Sequence, residues 1–229
     1  GGTVTGDILV AGTYQKGSYP EAPVKVISDR AFYNCTNLSR ISLPSSLTSI
    51  GNHAFRSCTS LSNIDLSGCD SLTSIGLSAF ESCTSLSDIT IPAGVTNIGG
   101  YAFNNCTNLS SVDLSACVRL TMIDTATFNN TGLSSIDLSG CTGLTHIAFM
   151  SFQNCTSLSS IVIPSSVTKI GNYVFYKCDN LSSITFASGG TWYYTTSDYT
   201  GGNSFTIVAN TNYANEFVTN KCDYYWYKI

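Results

Sequence analysis

The hydrophobic residues in the central part of the chain recur with a fixed period. Each copy of the pattern contains a phenylalanine, with an isoleucine five residues before it and an aliphatic residue eight residues before it. The seven copies are separated by 23, 25, 23, 25, 24 and 23 residues, counted between Phe32, Phe55, Phe80, Phe103, Phe128, Phe152 and Phe175. A period of about 20–30 residues predicts a solenoid, in which each copy forms one coil and no coil can bury its apolar side chains alone.

After the phenylalanine, apolar and polar residues alternate as Leu-x-x-Ile-x-Leu. In the second copy this places Ile64 and Leu66 toward the core and Asn63 and Asp65 toward solvent, as in a half-buried strand. Seven such strands are expected to stack in parallel, with neighbours about 4.7–4.9 Å apart. The Val/Leu-Thr-x-Ile piece before the phenylalanine predicts a second, shorter extended run. We expect a helical turn at residues 54–58 to close the coil.

The predicted fold is therefore mainly β with short helical turns, a solenoid of seven coils of 23–25 residues that is capped at both ends. Short copies turn after the strand with proline, and long copies turn with Ser-Gly/Ala-Cys. Proline has no backbone N–H and belongs at a strand end. In the fifth copy Thr131 replaces the usual cysteine and Gly132 precedes a leucine that arrives one residue early. We expect a local kink there.

Three regions follow from where the repeat begins and ends. Residues 1–23 are predicted to be an N-terminal cap, residues 24–186 the solenoid, and residues 187–229 an aromatic-rich C-terminal cap. Solenoids need such caps to cover their open ends. Within the last region the pattern predicts strands at 205–208 and 224–227 and a short helix at 212–220, with Tyr213, Phe217 and Val218 on one side.

The repeat resembles the BspA-like, Treponema-type leucine-rich repeat, I-P-x-x-V-T-x-I-G-x-x-A-F-x-x-C-x-x-L. The resemblance covers residues 24–186, and the clearest copy is 158–178. The chain departs from the family pattern where the family has glycine or alanine, at Asp124, Ala148, Thr127, Ser151 and Val174.

This resemblance implies a curved solenoid with a parallel sheet on its concave face, in a secreted or cell-surface bacterial protein. It also implies adhesion to host or partner-cell proteins, and it brings no catalytic residues. The N-terminal Gly1-Gly2 shows no signal peptide, so we expect the targeting segment to lie outside this sequence. The expected location is extracellular or on the cell surface.

The amino-acid composition argues against one class of binding partner. The net charge is −4 and only 10% of the residues are charged. There is no basic patch or stripe, which argues against nucleic acid as a partner. No apolar run approaches the length of a membrane span.

The ten cysteines follow the repeat. Six lie three residues after a phenylalanine and three lie in the long turns. A free cysteine behaves as a small hydrophobe, so we expect buried free thiols. The spacing of stacked strands also falls within the usual Cα range of a disulfide, which leaves a bond between neighbouring coils as an alternative. No C-x-x-C pair is present, so zinc is not expected, and Cys222 lies outside both columns.

We predict no catalytic residues, no cofactor and no metal site. His53 and His146 occupy unequal repeat positions and lie in no nucleophile motif. A serine follows the same leucine in all seven copies, at Ser39, Ser62, Ser87, Ser110, Ser134, Ser159 and Ser182. A catalytic serine would be singular, so we interpret these hydroxyls as partners for backbone groups.

The outward face of the predicted strands is the candidate binding surface, because solenoids bind proteins through such extended faces. The candidate residues are Arg40, Asn63, Asp65, Asp88, Asp113 and Asp137. The last two fall in adjacent coils, so one pKa of the pair should rise unless a cation or a hydrogen-bond donor intervenes. We expect a protein partner, such as a host extracellular-matrix protein.

Two alternatives remain open. The chain could bind glycans through the aromatic residues Trp192, Tyr193, Tyr194, Tyr225, Trp226 and Tyr227, because tyrosine and tryptophan are enriched at recognition surfaces. The same aromatics would also serve to bury the last coil. A structural spacer within a larger surface protein is the second alternative.

Overall fold

The computed structural model describes residues 5–10, 13–14, 22–195, 203–207, 211–214, 217–218 and 222–228. Seven coils are stacked. Hydrogen bonds join successive coils along a wall of turns, and along two walls of strands that are each interrupted between some coils. The predicted parallel solenoid is confirmed. Each wall satisfies backbone groups between coils, so the stack needs few charged residues.

The chain forms twenty described strands. The first ten are β1 (Thr5–Leu9), β2 (Thr13–Tyr14), β3 (Ala22–Pro23), β4 (Val26–Ile27), β5 (Asn37–Ser42), β6 (Ser49–Ile50), β7 (Asn63–Asp65), β8 (Ser74–Ile75), β9 (Asp88–Thr90) and β10 (Asn97–Ile98). The others are β11 (Ser111–Asp113), β12 (Met122–Ile123), β13 (Ser135–Ile136), β14 (His146–Ile147), β15 (Ser160–Ile163), β16 (Lys169–Ile170), β17 (Ser183–Phe186), β18 (Gly190–Thr195), β19 (Asn203–Ile207) and β20 (Tyr225–Lys228).

Two walls are built from these strands. The strand face comprises β1 and the strand that follows the phenylalanine in each of the seven coils. These seven strands are β5, β7, β9, β11, β13, β15 and β17. The second sheet comprises the two-residue strand that precedes each phenylalanine, from β4 to β16. Pairing between coils is parallel and keeps the isoleucines in line, as for Ile41 with Ile64 and Ile50 with Ile75. Every second side chain therefore enters the core.

The third wall differs from the prediction. Residues 54–58 form a run of tight turns instead of a helical turn. Ala54 N–H donates to Gly51 O at 3.3 Å, while Phe55 N–H donates to Ala79 O of the next coil at 2.8 Å. A helix would direct all its N–H groups along its own axis. The turns direct alternate N–H groups to the neighbouring coil and so extend the ladder.

This alternation requires a left-handed backbone at two positions in every coil. The residues two before and two after each phenylalanine have positive φ: Arg30, Asn34, His53, Ser57, Ser78, Ser82, Tyr101, Asn105, Ala126, Asn130, Met150, Asn154, Tyr173 and Lys177. Asparagine tolerates this conformation better than most residues, which explains its frequency at the second position. Tight contact with the next coil holds the other residues there.

The core is one continuous column of side chains. Each phenylalanine ring stacks on the next with centroids 5.1–5.8 Å apart. Cys106 follows three residues after Phe103, and its thiol donates to the carbonyl of Phe80 in the preceding coil at 3.0 Å. Four more cysteines of the column donate in the same way: Cys58, Cys83, Cys155 and Cys178.

The fifth coil is irregular in both sheets. No ladder joins β10 to β12 or β11 to β13, although all of these residues are described, and the strand face has a further interruption between β7 and β9. In the second, third, fourth and seventh coils a glycine lies at the close approach to the preceding coil: a Cβ on Gly99 would meet Leu77 N at 2.7 Å. Asp124 occupies this position in the fifth coil and Ala148 occupies it in the sixth, although the sixth coil keeps its ladder between β12 and β14. The interruption is observed, and the kink itself stays a prediction.

Two further departures from the family pattern are satisfied locally. Thr127 and Ser151 replace the buried alanine beside the phenylalanine, and both are fully buried. Thr127 Oγ1 donates to Asp124 O at 2.9 Å, and Ser151 Oγ donates to Ala148 O. Each hydroxyl therefore enters the core with a partner, as buried polar groups must.

At the N-terminal end, strand β1 pairs in parallel with β5, with Ile8 beside Ile41 and Leu9 beside Ser42. Ile8 and Val10 pack against the core. These contacts are those of a cap on the edge of the strand face. The boundary of the predicted cap at residue 23 stays a prediction.

At the C-terminal end, β20 pairs antiparallel with β16 and β18, and β19 pairs with β18. The predicted strands at 205–208 and 224–227 correspond to β19 and β20, although residue 208 lies outside the described residues. Within the predicted helix, Ala214 is α-helical and Phe217 and Val218 are π-helical. Tyr213 and Phe217 are buried and Val218 is half-buried. That these side chains share one side of a helix stays a prediction. Residues 215–216 and 219–220 lie outside the described residues, and the boundary at 187 stays a prediction.

Candidate functional site

Two outward columns run across the strand face. The first is Arg40, Asn63, Asp88, Ser111, Ser135, Ser160 and Ser183, and the second is Ser42, Asp65, Thr90, Asp113, Asp137, Val162 and Thr185. The strand pairing places neighbours of each column side by side, as in Arg40 beside Asn63 and Asp113 beside Thr90. The predicted facing of these residues is confirmed. That they bind a partner stays a prediction.

Three of the candidate aspartates also shape the turns of the long coils. Asp113 Oδ1 accepts a hydrogen bond from Ser115 N–H at 2.9 Å. Asp137 accepts from Ser139 N–H at 2.8 Å. Asp65 Oδ1 accepts hydrogen bonds from both the N–H and the hydroxyl of Ser67, two residues further along the chain. An aspartate that accepts from the residue two positions on forms an Asx turn.

The hydrogen bonds to these carboxylates also lower their pKa values. Hydrogen bonds from Ser115 lower the pKa of Asp113, and those from Ser139 lower the pKa of Asp137. The predicted rise for this pair is therefore absent, because donors satisfy both carboxylates. The repulsion from Asp113 does raise the pKa of Asp137, but it is the smaller effect. Both carboxylates are ionised at neutral pH.

The N-terminal half of the face carries two depressions that share Asn63 and Asp65. The first has a volume of about 520 Å³ and includes Arg40, and the second has a volume of about 190 Å³ and includes Asp88. The structure therefore brings four candidates together around one connected surface. Asp113 and Asp137 lie farther along the same face.

One contributor to this surface was not recognised in the sequence. Leu9 lines the first depression and its side chain is 78% exposed. It lies beside Ser42, in line with the second column. The sequence predicts a cap at residues 1–23 as a whole. Only the register of β1 on β5 shows which of its side chains points outward.

The serine column behaves as predicted. Ser62 Oγ donates to Ser39 O of the preceding coil at 3.3 Å, and Ser159 Oγ donates to Ser134 O at 3.2 Å. Ser87 differs, since its hydroxyl donates to Asp88 at 2.6 Å. These hydroxyls hold the coils together instead of forming a reactive group.

The thiols are free and mostly buried, as predicted. Eight of the ten cysteines are buried and two, Cys35 and Cys222, are partly exposed. Burial raises the pKa of Cys58 and of Cys106 to about 12. A thiol of such high pKa is a weak nucleophile at neutral pH.

Both tryptophans among the six aromatic residues proposed for glycan binding are buried. Trp192 and Trp226 are each 1% exposed. Trp192 packs on Phe186 with ring centroids 5.3 Å apart, and Trp226 packs on Phe217 at 4.5 Å. These rings cover the last coil. Their faces are therefore not available to a ligand in this conformation.

The tyrosines of the alternative are partly exposed. Tyr193 and Tyr227 stack on each other at 5.5 Å. Tyr194 packs on Tyr224, and Tyr225 is half-buried. An aromatic surface therefore exists beside the second sheet, but it contains no accessible tryptophan.

The two histidines lie in different walls of the solenoid, His53 in the turns and His146 in strand β14. Burial and the neighbouring Lys169 lower the pKa of His146. His53 belongs to the left-handed positions of the turn wall. Among the residues that the structure describes, no three His, Cys, Asp or Glu side chains are placed to hold a metal ion.

Comparison with known families now gives the relationship that the repeat indicated. The model of the BspA type leucine rich repeat region matches residues 25–156 and 121–223, with six copies. The chain belongs to the BspA-type leucine-rich repeat family. The structure places a seventh coil in the same stack. A comparison with curated proteins gave no match.

Two solved structures with TM-scores above 0.5 share the fold of this chain. A leucine rich cell surface protein from Faecalibacterium prausnitzii is 25% identical with a TM-score of 0.60, over 90% of this chain and 54% of that chain. The pneumococcal vaccine antigen PcpA is 19% identical with a TM-score of 0.52, over 89% of this chain and 45% of that chain. A leucine-rich repeat protein from Bacteroides ovatus is 25% identical with a TM-score of 0.49.

The chain spans 63% of the length of the Bacteroides protein and about half of the other two. It is thus a repeat module of a kind found in larger proteins. In the part of the chain that the structure describes, no helix has the length and apolarity to cross a membrane.

Proposed function

We propose that this repeat module is a non-enzymatic recognition domain that binds a host or partner-cell protein through its strand face. The observation that carries this proposal is the pair of outward columns, which form a mainly polar surface on the strands of all seven coils. Its backbone is held on three walls, so binding would require little ordering of the protein, and little of the interaction energy would be lost. An extracellular or cell-surface location fits the similarity to a cell surface protein of Faecalibacterium prausnitzii.

The carboxylates give this surface its specificity in the proposal. Asp65, Asp113 and Asp137 are held in fixed positions by their own turns. A preorganised charge contributes to partner selection and to the association rate more than to total affinity. We therefore expect a partner with a basic surface and binding that weakens as ionic strength rises.

The test is binding of the purified protein to host extracellular-matrix proteins and glycans, assayed side by side at physiological salt. The informative variant is the triple change Asp88→Asn, Asp113→Asn and Asp137→Asn. Asparagine keeps an acceptor oxygen for the Asx turns while removing the charge. We expect binding of a protein partner to weaken about tenfold, equivalent to about 1.4 kcal/mol.

A matched control removes the same charge elsewhere. Asp70→Asn, Asp124→Asn and Asp179→Asn lie outside the two columns. This control should bind like the wild type. Equal loss in both triple variants would indicate a general charge effect and would contradict a site on the strand face.

The alternatives give different outcomes in the same assay. Binding to glycans alone would move the site to the partly exposed Tyr193, Tyr225 and Tyr227. Absence of saturable binding to any member of the panel would favour a spacer role. Both results would count against the proposal.

A further inference from the structure

A groove crosses the strand face where β1 meets the repeats. Its first part is the depression of about 520 Å³ lined by Ile8, Leu9, Arg40, Ile41, Ser42, Asn63 and Asp65. The depression arises because Ser42 is small and stands between two larger side chains of the same column, Leu9 and Asp65. Its floor is the buried Ile41.

The first part of the groove has an apolar wall. Leu9 is 78% exposed, the most exposed of the large apolar side chains described. Ile8 lies next to it and is partly buried against the core. A single exposed leucine on a protein surface is ordinary. Here the leucine borders a concave surface, where an apolar side chain of another molecule would lose contact with water on several sides.

The second part of the groove is acidic. It shares Asn63 and Asp65 with the first part and extends over about 190 Å³ to Asp88 and Thr90. Hydrogen bonds from Ser67 lower the pKa of Asp65, so this carboxylate is ionised at neutral pH. The groove therefore passes from an apolar end to an end with two carboxylates.

Arg40 sets the direction in which a ligand can lie. Its strand position is beside Asn63 and it lines only the first part of the groove. A cation placed in the first part would be repelled by this guanidinium, whereas a cation in the second part faces Asp65 and Asp88. The charges thus fix an apolar group at the β1 end and a cation toward β9.

We propose that this groove binds an extended segment of a partner protein in which an apolar residue lies one or two positions from a lysine or arginine. The apolar side chain contacts Leu9 and Ile8, and the cation reaches Asp65 and Asp88. This inference rests on the proposed function and specifies the chemistry of the partner. The commitment to a basic segment comes from the charge complementarity of the second part.

The experiment uses the full chain, isotope-labelled for nuclear magnetic resonance, and synthetic peptides as probes. The test peptide is Gly-Ser-Leu-Ser-Lys-Ser-Gly, and two matched peptides replace its leucine with serine or its lysine with aspartate. We expect saturable shifts of the amide signals of Leu9, Ser42 and Asn63 with the test peptide. Each matched peptide should bind at least fivefold more weakly.

Two variants assign the contacts to the protein. Leu9→Ser should weaken binding of the test peptide at least threefold, and Asp65→Asn with Asp88→Asn at least tenfold. Asp113→Asn with Asp137→Asn should leave it unchanged, because these residues lie beyond the groove. Absence of shifts at the groove, or equal binding of all three peptides, would overturn the inference.

The same variants separate this inference from the proposed function. In the panel of matrix proteins, a loss of binding in Asp113→Asn with Asp137→Asn but not in Leu9→Ser would retain the strand face and overturn the groove. A partner that is unaffected by both sets of changes would overturn both. A loss in Leu9→Ser together with groove-localised peptide shifts supports the inference.

Discussion

Inside the solenoid, the phenylalanine position holds the same residue in every coil, whereas the outward positions of the strand face vary: one column runs Arg40, Asn63 and Asp88 before four serines. Each ring from Phe55 to Phe152 stacks on two others, so its size and shape must match its neighbours. An outward side chain meets solvent and constrains no neighbour in this way. Stacking therefore restricts which residues the interior can contain. The outward residues of the strand face are not restricted in this way and can suit a binding partner.

The aspartates of the long coils are outward residues that also have a structural role. Asp113 points outward, yet its carboxylate accepts a hydrogen bond that closes the turn after its strand. The comparison therefore teaches that exposure alone does not identify a binding residue. A charge can recur on a surface because the turn beneath it requires an acceptor.

The largest effect is expected from a substitution within the stack of phenylalanine rings, which tests the contrast between the core and the strand face. Phe103→Ala should lower the free energy of unfolding by about 3–5 kcal/mol, because it leaves a cavity between two rings. Phe32→Ala is the matched control, since Phe32 is partly exposed in the first coil. Its loss should be clearly smaller. Denaturant unfolding measures both, and equal losses would contradict a core that is continuous through the stack.

The second test uses thiol chemistry. At pH 8 an aromatic disulfide reagent should rapidly modify only Cys35 and Cys222, the two partly exposed cysteines. Burial raises the pKa of Cys106 from 9.0 to about 12, which lowers its thiolate fraction about a thousandfold. All ten thiols should react in denaturant. Rapid reaction of a third thiol in the folded protein would contradict the buried column.

The third test concerns the C-terminal edge of the strand face. The side chain of Asn212 accepts from Ile184 N–H at 3.0 Å and donates to Ser182 O at 2.6 Å, and so replaces a neighbouring strand. Asn212→Ala should destabilise the protein by about 1–3 kcal/mol, since a buried backbone group loses its partner.

Hydrogen exchange at the Ile184 amide provides the local measurement. Exchange should accelerate in Asn212→Ala and less so in Asn212→Asp, which keeps an acceptor. An unchanged exchange rate in the alanine variant would show that the edge is closed by other contacts.

The smallest predicted effect is electrostatic. Hydrogen bonds lower the folded-state pKa values of Asp65, Asp113 and Asp137 from 3.8. Their stabilisation is therefore fully present above the unfolded-state pKa and is lost as pH falls through the lowered folded values, from about pH 5 downward. These groups are exposed and screened, so each contributes only about a few tenths of a kcal/mol.

The triple variant Asp65→Asn, Asp113→Asn and Asp137→Asn tests this pH dependence. Its stability should fall less steeply between about pH 5 and pH 2 than that of the wild type, because asparagine does not titrate. Parallel stability curves would show that the turn serines do not favour the ionised form.

Much of the candidate site could be predicted from the repeat. The alternation around Ile64 assigned Asn63 and Asp65 to the outer face, and the strand pairing agrees. The turn role of the aspartates was missed, although the recurrent Asp-x-Ser in the long copies carried the signal. The exposure of Leu9 could not be predicted, because it depends on the register of β1 against a strand about thirty residues away.

The sequence by itself determined the number of coils, the inward and outward positions and the burial of the thiols. It could do so because each of these properties depends on contacts between equivalent residues one period apart. Only the tertiary structure decided the form of the turn wall, the burial of Trp192 and Trp226, and the edge formed by Asn212. These features depend on contacts with the neighbouring coil or the chain ends, where propensity gives no guide and the packing of specific side chains selects the conformation.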